Sequence, residues 1–188
     1  MKNGKLIVIA APSGSGKTTI VKNLISNKVL NLGFSVSATS RGKRKNEIEG
    51  KDYYFLSKNQ FEEKINLNEF VEWEEVYKET FYGTLKSEID DLTSLDKNLI
   101  FDIDVIGGLS IKKEFPERTL TVFISPPSLK ELENRLRKRG TDSEEKIKIR
   151  LSKASKEISM SVLYDYKIEN HNLEETVAKV TTLINNFL

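Results

Sequence analysis

The chain has 188 residues, enough for one well-filled core with insertions rather than several separate domains. Its 30 basic and 28 acidic residues leave a formal charge of +2, so no global field favours a nucleic-acid or membrane partner and any anion site must be local. Cysteine is absent and histidine occurs once, at His171, which excludes disulfides and thiolate metal sites and argues against histidine-based metal or nucleophile chemistry.

The apolar stretch at residues 6–11, preceded by Lys2 and Lys5, is too short for a secretory leader, which needs roughly 7–15 such residues, and cleavage after it would remove a strand. No run approaches the roughly 20 apolar residues of a membrane span, and a cytoplasmic protein is expected. Leu6-Ile7-Val8-Ile9-Ala10 is the continuous apolar pattern of a strand buried on both faces of a parallel sheet. Ile20, Val21, Leu24 and Ile25 then recur at helical spacing. Between them lies Ala11-Pro12-Ser13-Gly14-Ser15-Gly16-Lys17-Thr18-Thr19, a loop whose glycines let backbone N–H groups turn inward around phosphate oxygens. In that role Lys17 reaches the outer phosphates of ATP, Thr18 offers its hydroxyl to Mg²⁺, and the helix aims its positive end at the anion. Ala11 stands where the strict pattern has glycine, but a strand-end residue needs no positive φ, so the change is tolerable. The alternative, a structural turn that binds nothing, lacks this strand-loop-helix context.

From about Phe34 to Lys86 the chain is richer in aromatics and Glu, with alternating polarity in Phe34-Ser35-Val36 and Phe70-Val71-Glu72-Trp73-Glu74 and a helix start at Ser57; it reads as a small β-rich insertion. Here Arg41 and Arg44 lie beside the hydroxyls of Ser37, Thr39 and Ser40, with Tyr53, Tyr54, Tyr77 and Tyr82 nearby. Arginine forks and tyrosine hydroxyls suit a phosphate dianion, although such a cluster alone is as readily solvated charge.

Leu99-Ile100-Phe101 is a second buried strand, ending in Asp102-Ile103-Asp104 at the sheet edge where such folds bind ligands. Asp102 is a candidate to hold Mg²⁺ or position an arginine, and Asp104 is equally a helix cap. Leu120–Ile124 repeats the buried-strand pattern, and Ser128-Leu129-Lys130-Glu131 reads as a capping box. Arg135–Ser155 is too hydrophilic to be buried and reads as mobile helices over the site, with Arg135 and Arg139 on one face, Arg150 after the next turn and Arg137 solvated. Tyr166-Lys167-Ile168 is a weaker fourth strand, and Leu173, Val177, Val180, Ile184 and Phe187 give the last helix an apolar face. The alternation predicts an α/β doubly wound parallel sheet.

In order along nearly the whole chain, "APSGSGKTT", "FSVSATSRGKR", "EGKDYYF", "EFVEWEEVY", "FYGT", "LIFDID", "ISPPS" and "RLRKRGTDSEEKIKIRL" resemble the motifs of the guanylate kinases. The resemblance implies a P-loop core carrying ATP, with core segments at 1–33, 87–125 and 159–188, a GMP-binding insertion at 34–86 and a helical lid at 126–158. It implies that Ser13 to Thr19 and Asn170 bind ATP, that Arg41, Arg44, Tyr53 and Tyr82 hold the phosphate of GMP, and that Glu72, Ser37, Thr84 and Asp104 read guanine. Lys17, Arg41, Asp102, Arg135, Arg139 and Arg150 would serve transfer, with Mg²⁺ at Thr18 and Asp102. The implied reaction is MgATP plus GMP, and also dGMP, giving ADP and GDP or dGDP in purine metabolism, with small-molecule partners only and monomer or homodimer left open. From the residues alone, Glu72 would be a solvent-facing position in an alternating strand. The sequence departs from the family pattern at Lys43, Asn46, Phe81 and Ile106, none of which removes a charge needed for transfer. Two rivals are a non-catalytic module of the same shape that binds phosphorylated proteins, and a kinase for another nucleoside monophosphate.

Overall fold

The computed structural model describes residues 4–140 and 142–188, with all of their side chains except that of Tyr77. The chain opens with β1 (Leu6–Ala10), α1 (Lys17–Ser26) and β2 (Leu32–Phe34). Next come β3 (Ala38–Thr39), β4 (Tyr54–Phe55), α2 (Lys58–Asn66), β5 (Phe70–Tyr77) and β6 (Thr80–Leu85). The remainder is α3 (Lys86–Ser94), β7 (Asn98–Asp102), α4 (Val105–Glu114), β8 (Thr119–Ser125), α5 (Leu129–Arg139), α6 (Glu144–Ser159), β9 (Tyr166–Glu169) and α7 (Leu173–Phe187).

Five strands pair in parallel in the order β2-β7-β1-β8-β9, with helices on both faces, the doubly wound α/β arrangement expected. All five residues of β1 are fully buried, because it runs through the middle of the sheet. Ile7 and Ile9 face one layer with Ile20 and Leu24 of α1 and Val180 and Ile184 of α7. Leu6, Val8 and Ala10 face the other, with Ile89 of α3 and Ile111 of α4. Each such side chain contributes roughly 1.5–3 kcal/mol of burial, which is why a continuous apolar run is needed here. The edge strand β2 escapes sequence reading: it is three residues long with Gly33 at its centre, and pairing with Asn98 to Ile100 creates it.

The connection from β1 leads past β7 to β2, whereas that from β7 leads past β1 to β8. Adjacent strands whose exits diverge open a crevice at their carboxyl ends. Ile9 and Asp102 are register partners there, so the glycine loop and the β7 aspartate are neighbours by topology.

A second sheet, in the order β4-β3-β6-β5, has its own small core of Phe61, Phe70 and Ala38, with Phe61 stacked on Phe70 and Phe81. Phe81 thus joins an aromatic stack. Ser57 and Gln60 make a reciprocal capping box at α2. At α5 the expected box is only half made: Ser128 accepts from the Glu131 N–H, but the Glu131 carboxylate pairs with Arg135 instead. The reading of residues 135–155 as too hydrophilic to bury also needs correction. Leu132, Leu136, Ile147 and Ala154 form a buried seam between α5 and α6, because one residue in three or four is enough to give a helix an apolar stripe. Arg137, expected to be solvated, is exposed yet bridges the two helices through Glu133 and Glu144.

Candidate active site

The loop after β1 turns on Gly14 and Gly16, whose φ values of 96° and 93° lie in the left-handed region that L side chains rarely adopt. Ala11 is not among the residues with positive φ, and it is buried, so its Cβ costs nothing in backbone strain. Gly16 caps α1 without a side-chain bond, and no acidic residue occupies the first turn, which leaves the helix N-terminus positive and open to an anion. Lys17 Nζ lies 2.6 Å from Asp102 Oδ1 and donates to the Ile103 carbonyl at 2.7 Å. Thr18 Oγ1 donates to the second Asp102 oxygen at 3.3 Å. A lysine, a hydroxyl and a carboxylate from both sides of the crevice therefore meet at one point.

The loop is braced from the opposite end of the chain. Asn170, buried after β9, donates its amide to the Ser15 carbonyl at 2.8 Å and accepts from Thr176 Oγ1 of α7 at 3.1 Å. Its backbone N–H donates to Ser125 at 2.8 Å, and its carbonyl accepts from Arg135 Nη2 at 3.1 Å. The side chain of Asn170, a position expected to bind ATP, is thus committed to holding the loop. Arg150 Nη1 donates to Ser13 Oγ while Nη2 donates to Asp142 Oδ1 at 3.2 Å, joining α6 to the same loop. Arg135 and Arg150 meet the loop region; Arg139 is exposed and makes no hydrogen bond or ion pair among the described residues, and the Thr19 hydroxyl makes none either.

In the insertion, Arg41 grips Glu47 with two N–H···O bonds of 2.8 Å, donates from Nε to Tyr82 Oη at 3.1 Å and lies 5.2 Å over the Tyr53 ring. The guanidinium's hydrogen bonds, with that of the Arg44 N–H, hold the Glu47 carboxyl down at about 2, and Glu47 in turn raises the Arg41 pKa. Burial raises the Tyr53 pKa, so that phenol stays protonated. Arg44 joins the cluster through its backbone, with its side chain in solvent. Glu47 was missed by sequence reading, where an acid after a basic loop looks like solvated charge; its only signal was its place three residues beyond Arg44.

Deeper in the same sheet, Glu72 is 7% exposed and accepts from Thr84 Oγ1 at 2.6 Å, its partner across the β5–β6 pair. Burial pushes its carboxyl up to about 7. Asp104 caps α4 through the N–H groups of Ile106 and Gly107, and its charge also raises Glu72. The Ser37 hydroxyl makes no hydrogen bond among the described residues, leaving it free for a ligand. A second missed acid, Glu88, is buried and ties the insertion to the core by accepting from the Val36 N–H and Tyr54 Oη, each at 2.8 Å.

The sequence model of the family described as "Guanylate kinase" matches residues 3–187. A guanylate kinase of Porphyromonas gingivalis is 50% identical over 184 residues, covering 98% of each chain. One of Bacteroides fragilis is 48% identical over 184 residues, covering 98% of this chain and 90% of that protein. Among solved structures, the crystal structure of guanylate kinase from Anaplasma phagocytophilum superposes with a TM-score of 0.77 at 31% identity, over 99% of this chain and 87% of that one. With the glycine loop, α5, α6 and the second sheet all within the matched span, the chain belongs to the guanylate kinase family.

Proposed function

We propose a division of labour for the guanylate kinase activity, ATP plus GMP giving ADP plus GDP, among the residues of these three regions. The glycine loop and the α1 N-terminus cradle the ATP phosphates, and Lys17 leaves Asp102 to pair with the outer phosphates. Thr18 Oγ1 and Asp102 Oδ2, 3.3 Å apart and both hard oxygen ligands, would hold Mg²⁺. When bound, that ion neutralises charge on the transferring phosphates. Arg41, Arg44, Tyr53 and Tyr82 hold the GMP phosphate, whose second pKa of about 6 leaves it mostly ionised at neutral pH, so no strong general base is required. Transfer is then in line, driven by positioning and by Lys17 and the arginines Arg135, Arg139 and Arg150 stabilising spreading charge. Arg150 on Ser13 and Arg135 on Asn170 mark the side from which α5 and α6 close to exclude water.

One observation carries the choice of acceptor: Glu72 is buried, and among the described residues no cation pairs with it. A carboxylate there accepts from the ring N–H and amino group of guanine, while Ser37, and Thr84 once its proton turns away from Glu72, donate to the ring oxygen. Adenine would leave the buried carboxylate without donors, a mismatch that sites of this kind reject by as much as roughly 10⁴–10⁵. A coupled ADP-release assay across GMP, dGMP, AMP, CMP and UMP tests this, with turnover of the guanine nucleotides expected; preference for AMP sinks it. Among the described residues no helix is long and apolar enough to cross a membrane, and we place the enzyme in the cytoplasm.

A further inference from the structure

We propose that Glu74 is a further specificity-determining residue of the acceptor site, accepting a hydrogen bond from the ribose 2′-hydroxyl and so favouring GMP over dGMP. The inference rests on the acceptor-site reading above. Its first support is strand register. Glu72 and Glu74 are two apart on β5 and so share a face of the sheet, opposite to Trp73. Glu72 pairs across the hairpin with Thr84 at the level assigned to the base. Glu74 pairs with Tyr82, whose hydroxyl meets Arg41 at the level assigned to the phosphate. A nucleotide spanning those levels carries its sugar past Glu74.

The second support is an acceptor without a donor. Glu74 Oε2 is out of solvent and has no hydrogen-bond donor among the described residues. The groups facing it are Glu72 on its own strand, Asp104 from the loop before α4, and Lys153 and Glu157 from α6. Lys153 Nζ stands 3.9 Å from Glu157 Oε1 and makes no ion pair with Glu74. Glu74 and Asp104 meet carboxyl to carboxyl, a contact that is a hydrogen bond only when one of them holds a proton. Burial, and then Asp104, push the Glu74 carboxyl up to about 7. A hydroxyl donor arriving with the substrate satisfies the atom in place of that proton. Ribose brings such a donor on its 2′ carbon, and deoxyribose does not.

The third support is spatial separation from base reading. Asp104 Oδ1 is occupied by the α4 cap, and Glu72 lies against α4, where a Cβ on Gly107 would come within 2.8 Å of Oε2. Those contacts fix Glu72 toward the base end, leaving Glu74 one pair nearer the phosphate.

The test is kcat/KM of the full chain for GMP, dGMP and IMP, measured for the unaltered enzyme, Glu74→Ala and Glu74→Gln at pH 6 and pH 8. One hydrogen bond to a charged acceptor predicts a GMP advantage over dGMP of roughly tenfold at pH 8, falling to within about twofold in Glu74→Ala. The advantage should shrink at pH 6 in the unaltered enzyme, because protonated Glu74 is the poorer acceptor, and stay flat with pH in the alanine variant. Glu74→Gln, close in shape, should lie between them, and thermal melting of both variants verifies that they fold. An unchanged GMP-to-dGMP ratio in both variants overturns the proposal. So does loss of the GMP-to-IMP ratio with the dGMP ratio intact, since Glu74 would then read the guanine amino group. No turnover of any guanine nucleotide by the unaltered enzyme overturns the acceptor-site reading and this inference together.

Discussion

Lys17 in the glycine loop is matched at rest by Asp102 at 2.6 Å and the Ile103 carbonyl at 2.7 Å, whereas Glu72 on β5, 7% exposed, has the Thr84 hydroxyl and, among the described residues, no cation. Arg41 resembles Lys17, with Glu47 as its standing partner, and Glu74 resembles Glu72, with an oxygen that no group among the described residues donates to. Lys17 and Arg41, assigned to phosphates, are therefore paired before substrate arrives, and Glu72 and Glu74, assigned to the nucleoside, have no cation partner among the described residues. A ligand entering the first kind of site exchanges one set of partners for another and gains mainly position and charge neutralisation. A ligand entering the second relieves a desolvated acceptor, and one that brings no donor leaves that cost in place. On the proposed reading, phosphate binding would supply chemistry common to nucleotides, and the buried acids would supply choice among them.

The largest effect that would break this contrast is at Lys17. Lys17→Ala should lower turnover by at least about 10²–10³-fold, the scale of removing one preorganised charge from a transition state, while GMP still binds in equilibrium titration. Comparable loss of GMP binding would mean that donor and acceptor sites are not separate. Next comes Glu72→Gln, which should cost roughly 10²-fold in kcat/KM for GMP and reduce discrimination against AMP. The same substitution sharpens the comparison in stability. The folded Glu72 carboxyl titrates near 7, above its ordinary 4.5, so its charged form disfavours folding. The nucleotide-free protein should lose stability as pH rises from about 4.5 to about 7 and then level off, with up to ~3 kcal/mol from this group. Glu74 adds a decline of the same sign, and thermal melts should show a shallower decline in Glu72→Gln. A smaller effect is expected at Glu47→Gln, which loosens Arg41 without removing it. KM for GMP should rise several-fold with little change in kcat; a fall in kcat alone would take Arg41 out of ground-state binding. Smallest is Ala11→Gly, with activity within twofold and stability lowered by no more than about 1 kcal/mol through unfolded-state entropy.

How far the sequence could be read follows the same division. β1, its loop and α1 are specified by neighbours along the chain: apolar continuity, two glycines at left-handed positions and a helical repeat. Asp102 was legible because it ends a buried strand. Glu72 was legible only through the resemblance, since alternation alone puts it on either face, and α4 packing over β5, with Gly107 permitting the approach, turns it inward. Glu47 and Glu88 look like solvated acids in a chain with 28 acidic residues, and each owes its place to a partner brought by folding. The α5–α6 seam was hidden by its charge density: Leu132, Leu136, Ile147 and Ala154 are a minority in their helices, yet they decide which way both helices face.

Asn170 ties together parts that are synthesised far apart. Its amide holds the Ser15 carbonyl 155 positions earlier, and a Cβ on Gly16 would come within 2.7 Å of its Nδ2. The glycine loop leaves the ribosome well before Asn170, so its Ser15 carbonyl gains this partner only when β9 and the start of α7 have been made. A nascent chain, or one cut short before this strand, carries every residue of the glycine loop without the brace that holds it.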